Sequence, residues 1–281
     1  MPPANKENAL KAFIVSLSFP FLYWFLMTQF IPIIYAFFSG MKAAQVQLNH
    51  SSANTQNILS FLKTTNALYF YLAASVIFLF ITAIIFKARH RNFFERIMAN
   101  PIPKQILAII IVLAVGQTFI SDLFNFVFPQ SWIEVYMSNT DYKTQTYGLV
   151  FEILVIGIIT PIAEETAFRG LMITRLTGRM AAWQVVVLSV LTFAISHASG
   201  SIAQAIAILP MAVIVCLVFL WTKSIYTAIL IHMINNIIAS ISGAVTTTGS
   251  VSLLDFIISL IGLVITIITM KMIYVRRVAF K

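Results

Sequence analysis

Charge is what this sequence has least of. Only 10% of its 281 residues are Asp, Glu, Lys or Arg, while 60% are apolar. A soluble domain carries about 25% and 45–50%. That deficit excludes an ordinary solvated surface and points to a polytopic membrane bundle. Cysteine is almost missing as well. Cys216 is the sole one, so no internal disulfide can form and the redox compartment stays unread. It lies in the apolar run 213–220 and reads as filler. No His-Glu-x-x-His occurs, which excludes the common zincin arrangement. No Gly-x-Ser-x-Gly elbow surrounds Ser196, Ser199 or Ser201 beside His197. There is no internal repeat and no low-complexity tract. Nor is there a short apolar core with a cleavage site: the first apolar run, Ala12–Phe38, is too long for a signal peptide and reads as an uncleaved span.

What is present is a series of runs near the ~20 residues a bilayer needs. They are Ala12–Phe38, Ala67–Phe86, Gln105–Phe128, a fourth beginning near Tyr147, Ala182–His197, Ile202–Trp221, Ile225–Ile241 and Leu253–Tyr274. Pro20 and Pro32 are positioned to bend or end the first, and Pro210 stands within the sixth. The expected fold is all-α: a polytopic transmembrane helical bundle of about eight spanning helices. It forms one integral-membrane domain over 1–281, with a motif-bearing core at about 147–241.

The basic residues orient this arrangement. With a cytoplasmic N-terminus, 15 of the 18 Lys and Arg fall inside, and only Lys42, Lys63 and Lys143 remain outside. That asymmetry follows the positive-inside rule and puts both termini in the cytoplasm. The connector 87–104 alone carries Lys87, Arg89, Arg91, Arg96 and Lys104 against Glu95. The net charge of +9 is thus explained without nucleic acid, which would want a basic face on a soluble domain. Short termini without organelle signals lean toward a prokaryotic plasma membrane.

Few polar residues interrupt the apolar runs. In Pro161-Ile-Ala-Glu-Glu-Thr-Ala-Phe-Arg-Gly170, Glu164 and Glu165 are adjacent and Arg169 follows by four. A charge at bilayer depth costs roughly 2.5–3.5 kcal/mol on insertion scales, so the cluster needs a reason to be there. His197 and His232 lie in apolar runs, whereas His50 and His90 lie in polar loops. Positions four apart share a helix face. Glu165 therefore pairs with Arg169, Phe193 sets a ring against His197, and His232 points the same way as Asn236. A carboxylate, a His that holds a water and a His/Asn pair of donors suit amide hydrolysis: the base activates water and the donors stabilise the oxyanion. Asp122 and Glu152 are left over and read as bundle-facing polar contacts. Asp255 reads as the start of the last helix.

Glu164-Glu165-x-x-x-Arg169, Phe193-x-x-x-His197 and His232-x-x-x-Asn236, in that order, resemble the three motifs of the CAAX protease and bacteriocin-processing (Abi) family. Its best-known branch is the Ras-converting CAAX endopeptidases. The resemblance covers roughly Leu154–Ser240. It implies an intramembrane glutamate endopeptidase in which Glu164 activates water, His197 helps bind it, and His232 and Asn236 form the oxyanion site. Glu165 and Arg169 support, orienting the first Glu and tying helices together, and Phe193 packs around the imidazole. It implies no cofactor. A zinc site on Glu164, His197 and His232 stays open as an alternative, since three ligands plus water suit catalytic zinc. Implied partners are the lipid bilayer and a peptide or (prenylated) protein substrate. Some members act through membrane partners such as sensor kinases. A non-catalytic regulator or bacteriocin-immunity protein is therefore the second reading. A proton relay on Asp122, Glu152, Glu164 and the two His is a third, but it would want repeats or half-helices that are not seen.

The eight-span topology raises one conflict. It sets Glu164 toward the inner end of its span and His197 toward the outer end of the next. They can meet only if the fourth helix runs on past Arg169 toward Leu176, or if the fifth stops short of the outer surface.

Overall fold

A computed structural model describes residues 9–31, 33, 34, 67–120, 123, 126, 148–197, 202–245 and 252–277. His50, Asp122, Ser199, Ser201, Lys42, Lys63 and Lys143 lie outside the described residues, as do the whole of 39–66 and 129–146. No strand forms among the described residues. Apolar helices do: α1 (Ala9–Phe25) continuing into a π segment (Leu26–Phe30), α2 (Ala67–Ala88), the single turn α3 (Phe93–Arg96) and α4 (Lys104–Thr118). The fourth span, α5, is one composite helix over 149–176. Then come α6 (Ala182–Ser196), α7 (Ile202–Ala207), α8 (Leu209–Thr222), α9 (Ile225–Val245) and α10 (Leu253–Arg276).

Five of these segments, among the described residues, are long and apolar enough to cross a membrane: Leu10–Phe30, Leu68–Ala88, Ile202–Thr222, Ile225–Ser242 and Leu253–Arg276. Lys104–Thr118 and Ala182–Ser196 are shorter apolar helices. With composite α5 these make the eight expected segments of a helical membrane bundle. Exposed Phe80, Ile84, Ile195, Val264 and Ile267 put apolar surface outward, as lipid rather than water would require. The chain is an integral membrane protein.

Boundaries depart from expectation in two places. The third helix ends at Thr118, not near Phe128. The sixth run breaks at Ile208, because Pro210 takes the first turn of α8, the position proline tolerates best. The last helix has Ser252 as its N-cap, and Asp255, expected to cap or start it, stands in its first turn and completes the cap. The Ser252 hydroxyl accepts from the Asp255 N–H, and Asp255 accepts the Ser252 N–H at 2.7 Å, closing a capping box.

The fourth span does continue to Leu176, but not as a plain α-helix. α-Helical Leu149–Glu152, Thr160–Glu165 and Thr174–Leu176 alternate with π-helical Ile153–Ile159 and Thr166–Ile173. Such π turns are rare and favour functional sites. The first has a local cause. Thr160 N–H bonds Val155 C=O, five residues back. The same register would pair Ile156 C=O with Pro161, which has no N–H. That carbonyl is left to a side chain of another helix.

Glycine sets the helix spacing where backbones meet. A Cβ on Gly157 would come within 2.9 Å of Ile237 Cγ1 on α9, and one on Gly262 within 2.6 Å of the Gly116 carbonyl oxygen on α4. Small residues permit this approach between membrane helices. Apart from buried Arg169, several described cationic side chains cluster around two clefts. Arg89, Arg91, Arg96 and Arg175 surround one, and Lys223 and Arg276 line the second. A hydrogen bond from Asn100 to Lys223 C=O ties two of the turns that line the second cleft.

Candidate active site

α5, α6 and α9 bring Glu164, His197 and His232 together, while Asn236 makes its contacts with Ile156 and Asn235. Glu164 Oε2 lies 4.0 Å from His197 Nε2 and 3.7 Å from His232 Nε2. The two side chains meet with α5 running on past Arg169 to Leu176 and α6 ending at Ser196, with His197 as its C-cap. Glu164 is 4% exposed and His232 2%, while the His197 side chain keeps 22%.

Behind these atoms stands a closed ionic group. Glu165 Oε1 accepts from Arg169 Nη1 at 3.0 Å and pairs with His232 Nδ1 at 2.8 Å. Both Glu165 and Arg169 are fully buried. Arg169 also donates through Nη2 to Ala212 C=O on α8 at 3.3 Å, and its guanidinium lies 4.3 Å over the Phe193 ring. One arginine thereby holds α5, α6 and α8 through charge, hydrogen bond and ring face. Glu165 orients His232 rather than Glu164, which refines the role expected for it. Phe193 contacts both imidazoles, at 4.4 Å from the His197 ring and 5.8 Å from that of His232, and meets Phe168 edge-on.

Donor and acceptor roles fix the ring nitrogens. His197 Nδ1 is 2.8 Å from Phe193 C=O. A carbonyl only accepts, so Nδ1 carries a proton, and in the neutral form of the ring Nε2 presents its lone pair toward Glu164. His232 Nδ1 faces a carboxylate, so it too carries a proton. Its Nε2 donates only if the ring is doubly protonated.

Asn236 is held by two partners that the sequence did not announce. Its Nδ2 donates to Ile156 C=O at 2.9 Å, the carbonyl that Pro161 leaves without an N–H. Its Oδ1 accepts from Asn235 Nδ2 at 3.1 Å, and Asn235 Oδ1 accepts from Gln117 Nε2 on α4 at 2.8 Å. One N–H of the Asn236 amide is left over. Gln117 was visible only as an amide inside an apolar run, which is unusual at membrane depth; nothing in the sequence named its partner. Tyr23 is a second residue missed. It is buried on α1, bonds Ser75 at 3.3 Å and lies within electrostatic reach of Glu164. No sequence signal distinguished it from the other aromatic residues of α1.

Two residues are not brought to the site. Glu152 is buried, and its Oε2 has no hydrogen-bond partner. It stands twelve residues before Glu164, roughly 18 Å along the helix at 1.5 Å per residue. His90 is exposed, in a turn with φ of 49°.

Residues 146–238 match a protein-family model described as "Type II CAAX prenyl endopeptidase Rce1-like". Over that segment, about a third of its length, the chain is similar to the CAAX protease family. All seven predicted site residues fall within it. The matched description is that of an endopeptidase, so the family indicates a membrane protease, a hydrolase whose class of substrate is a peptide or lipidated protein in the bilayer. Comparisons with curated proteins and with solved structures returned no match.

Proposed function

We propose that this chain is a glutamate-type intramembrane endopeptidase. It hydrolyses one peptide bond of a membrane-associated peptide or prenylated protein, with no metal. The observation that carries the reading is the 4.0 Å gap between Glu164 Oε2 and His197 Nε2. Two hydrogen-bond arms of about 2.8 Å spanning it meet at roughly 90°, within the range a single water adopts as donor to both. Glu164 takes one proton of that water as it attacks the carbonyl carbon. His197, neutral with its lone pair inward, holds the other.

The oxyanion forms on the opposite side. His232 Nε2 and the spare N–H of Asn236 are its donors. For His232 to donate there it must be doubly protonated, and Glu165 is the counterion beside it. Arg169 pairs with the same carboxylate, so with Glu164 two acids face two cations in the buried cluster. On collapse, the proton held by Glu164 passes to the leaving amine. The site lies in the plasma membrane, with both termini and the basic connector 87–104 cytoplasmic.

The test uses purified protein in proteoliposomes with a farnesylated reporter peptide ending in a C-a-a-X sequence. Wild type is expected to release the terminal tripeptide. Glu164→Gln and His197→Ala are expected to fold and to release none. Turnover by either variant at the wild-type rate defeats the reading. A chelator is expected to leave the rate unchanged; inhibition reversed by zinc would move Glu164, His197 and His232 into a metal site.

A further inference from the structure

The arginine-lined cleft has a composition the protease chemistry does not use. Arg89 and Arg91 come from the turn after α2, Arg96 from the end of α3 and Arg175 from the last turn of α5. Four guanidinium groups from three elements line one small space, and Phe19 and Leu171 form its apolar side. Arg89 and Arg91 are exposed, while Arg96 and Arg175 are half-buried. The only acid in the connector 87–104 is Glu95, and it is exposed on α3. Arg96 and Arg175 also make contacts within the protein. Like charges gathered around one cleft raise the local concentration of anions.

The shape selects the anion. The cleft has a volume of about 20 Å³, room for one oxygen-sized group. Guanidinium forks match phosphate oxygens in pairs, which lysine cannot do. The site lies where the apolar run of α2 gives way to charge, the depth at which lipid headgroups sit, and basic pockets between membrane helices bind such groups.

We propose that this cleft binds a phosphate-bearing anion: one phosphoryl oxygen enters the cleft, and the rest of the group lies across exposed Arg89 and Arg91. A lipid headgroup and free phosphate share this chemistry, and the experiment separates them. Purified full-length protein in an uncharged detergent is titrated with short-chain phosphatidylglycerol, short-chain phosphatidylcholine or inorganic phosphate, and the thermal midpoint is followed. Binding to the native state alone raises that midpoint. Phosphatidylglycerol is expected to raise it by about 3 °C or more, and phosphatidylcholine by much less. Arg91→Gln combined with Arg175→Gln is expected to remove at least half of the shift. Lys104→Gln combined with Lys223→Gln, outside the cleft, is expected to keep it. Arg91→Gln alone, at an exposed position, decides the matter if the double variant does not fold, since it too should lose a clear part of the shift. An equal shift from inorganic phosphate, lost in the same variants, supports the site and assigns it to the free anion. The proposal is overturned if neither anion shifts wild type, if both lipids act alike, or if the arginine variants respond as wild type does.

Discussion

The two halves of the site are built differently. On one side Glu165, Arg169 and His232 form a closed group: Glu165 and Arg169 are fully buried, His232 is 2% exposed, and their mutual contacts are 2.8 and 3.0 Å. On the other, Glu164 and His197 stand 4.0 Å apart, with the His197 side chain 22% exposed. The closed half holds the bundle through direct contacts between buried charges. The open half sets an acid oxygen and an imidazole nitrogen at a separation that one water can bridge. Burial and direct pairing mark what holds the bundle, and a 4.0 Å separation between two acceptors marks where chemistry can occur.

That contrast breaks most sharply at Glu164. Glu164→Gln keeps size and burial but removes the base. Cleavage is expected to fall about 10⁴-fold, the upper end for a general base, with the thermal midpoint nearly unchanged. Next comes Arg169→Met. It leaves Glu165 buried without its guanidinium, and losing one partner of a buried pair costs about 3–5 kcal/mol. A lowered midpoint and poor yield in detergent are expected, measured beside Glu164→Gln as the stable control. Asn236→Ala removes an oxyanion donor and also strips Ile156 C=O of its partner. It is expected to lower kcat about 10²-fold, with a moderate stability loss seen in the same thermal scan. Gln117→Leu is the smallest. It cuts the chain Gln117–Asn235–Asn236 at its far end, where one hydrogen bond is worth about 1 kcal/mol. A roughly fivefold drop in kcat with KM unchanged is expected; a change in KM alone would remove Gln117 from the positioning of the amide.

Much of the site was legible because its chemistry is expensive in lipid. Glu164, Glu165, Arg169, His197 and His232 stand out in apolar runs, and i, i+4 spacing paired them before any coordinates. Hydropathy likewise gave eight helical segments. What spacing could not supply was depth. Assuming that each span ends at a bilayer surface separated Glu164 from His197. In the structure the two meet, with α5 carried on to Leu176 and α6 ending at Ser196. The π turns were equally hidden, although their cause at Pro161 is local: a missing N–H frees one carbonyl, and Asn236 takes it. Gln117 and Tyr23 depend on contacts between distant parts of the chain, which no window of neighbouring residues reports. The third helix stops ten residues before the apolar run does, a boundary hydropathy alone does not mark.

The central claim is that Glu164 and His197 act on one and the same water. A double-mutant cycle on reporter cleavage in proteoliposomes measures this directly, using Glu164→Gln, His197→Gln and the pair together. Residues that act as a unit are strongly non-additive, so the double variant is expected to be no slower than the slower single variant. If the two losses instead multiply, the residues act independently, and the shared water between them is ruled out.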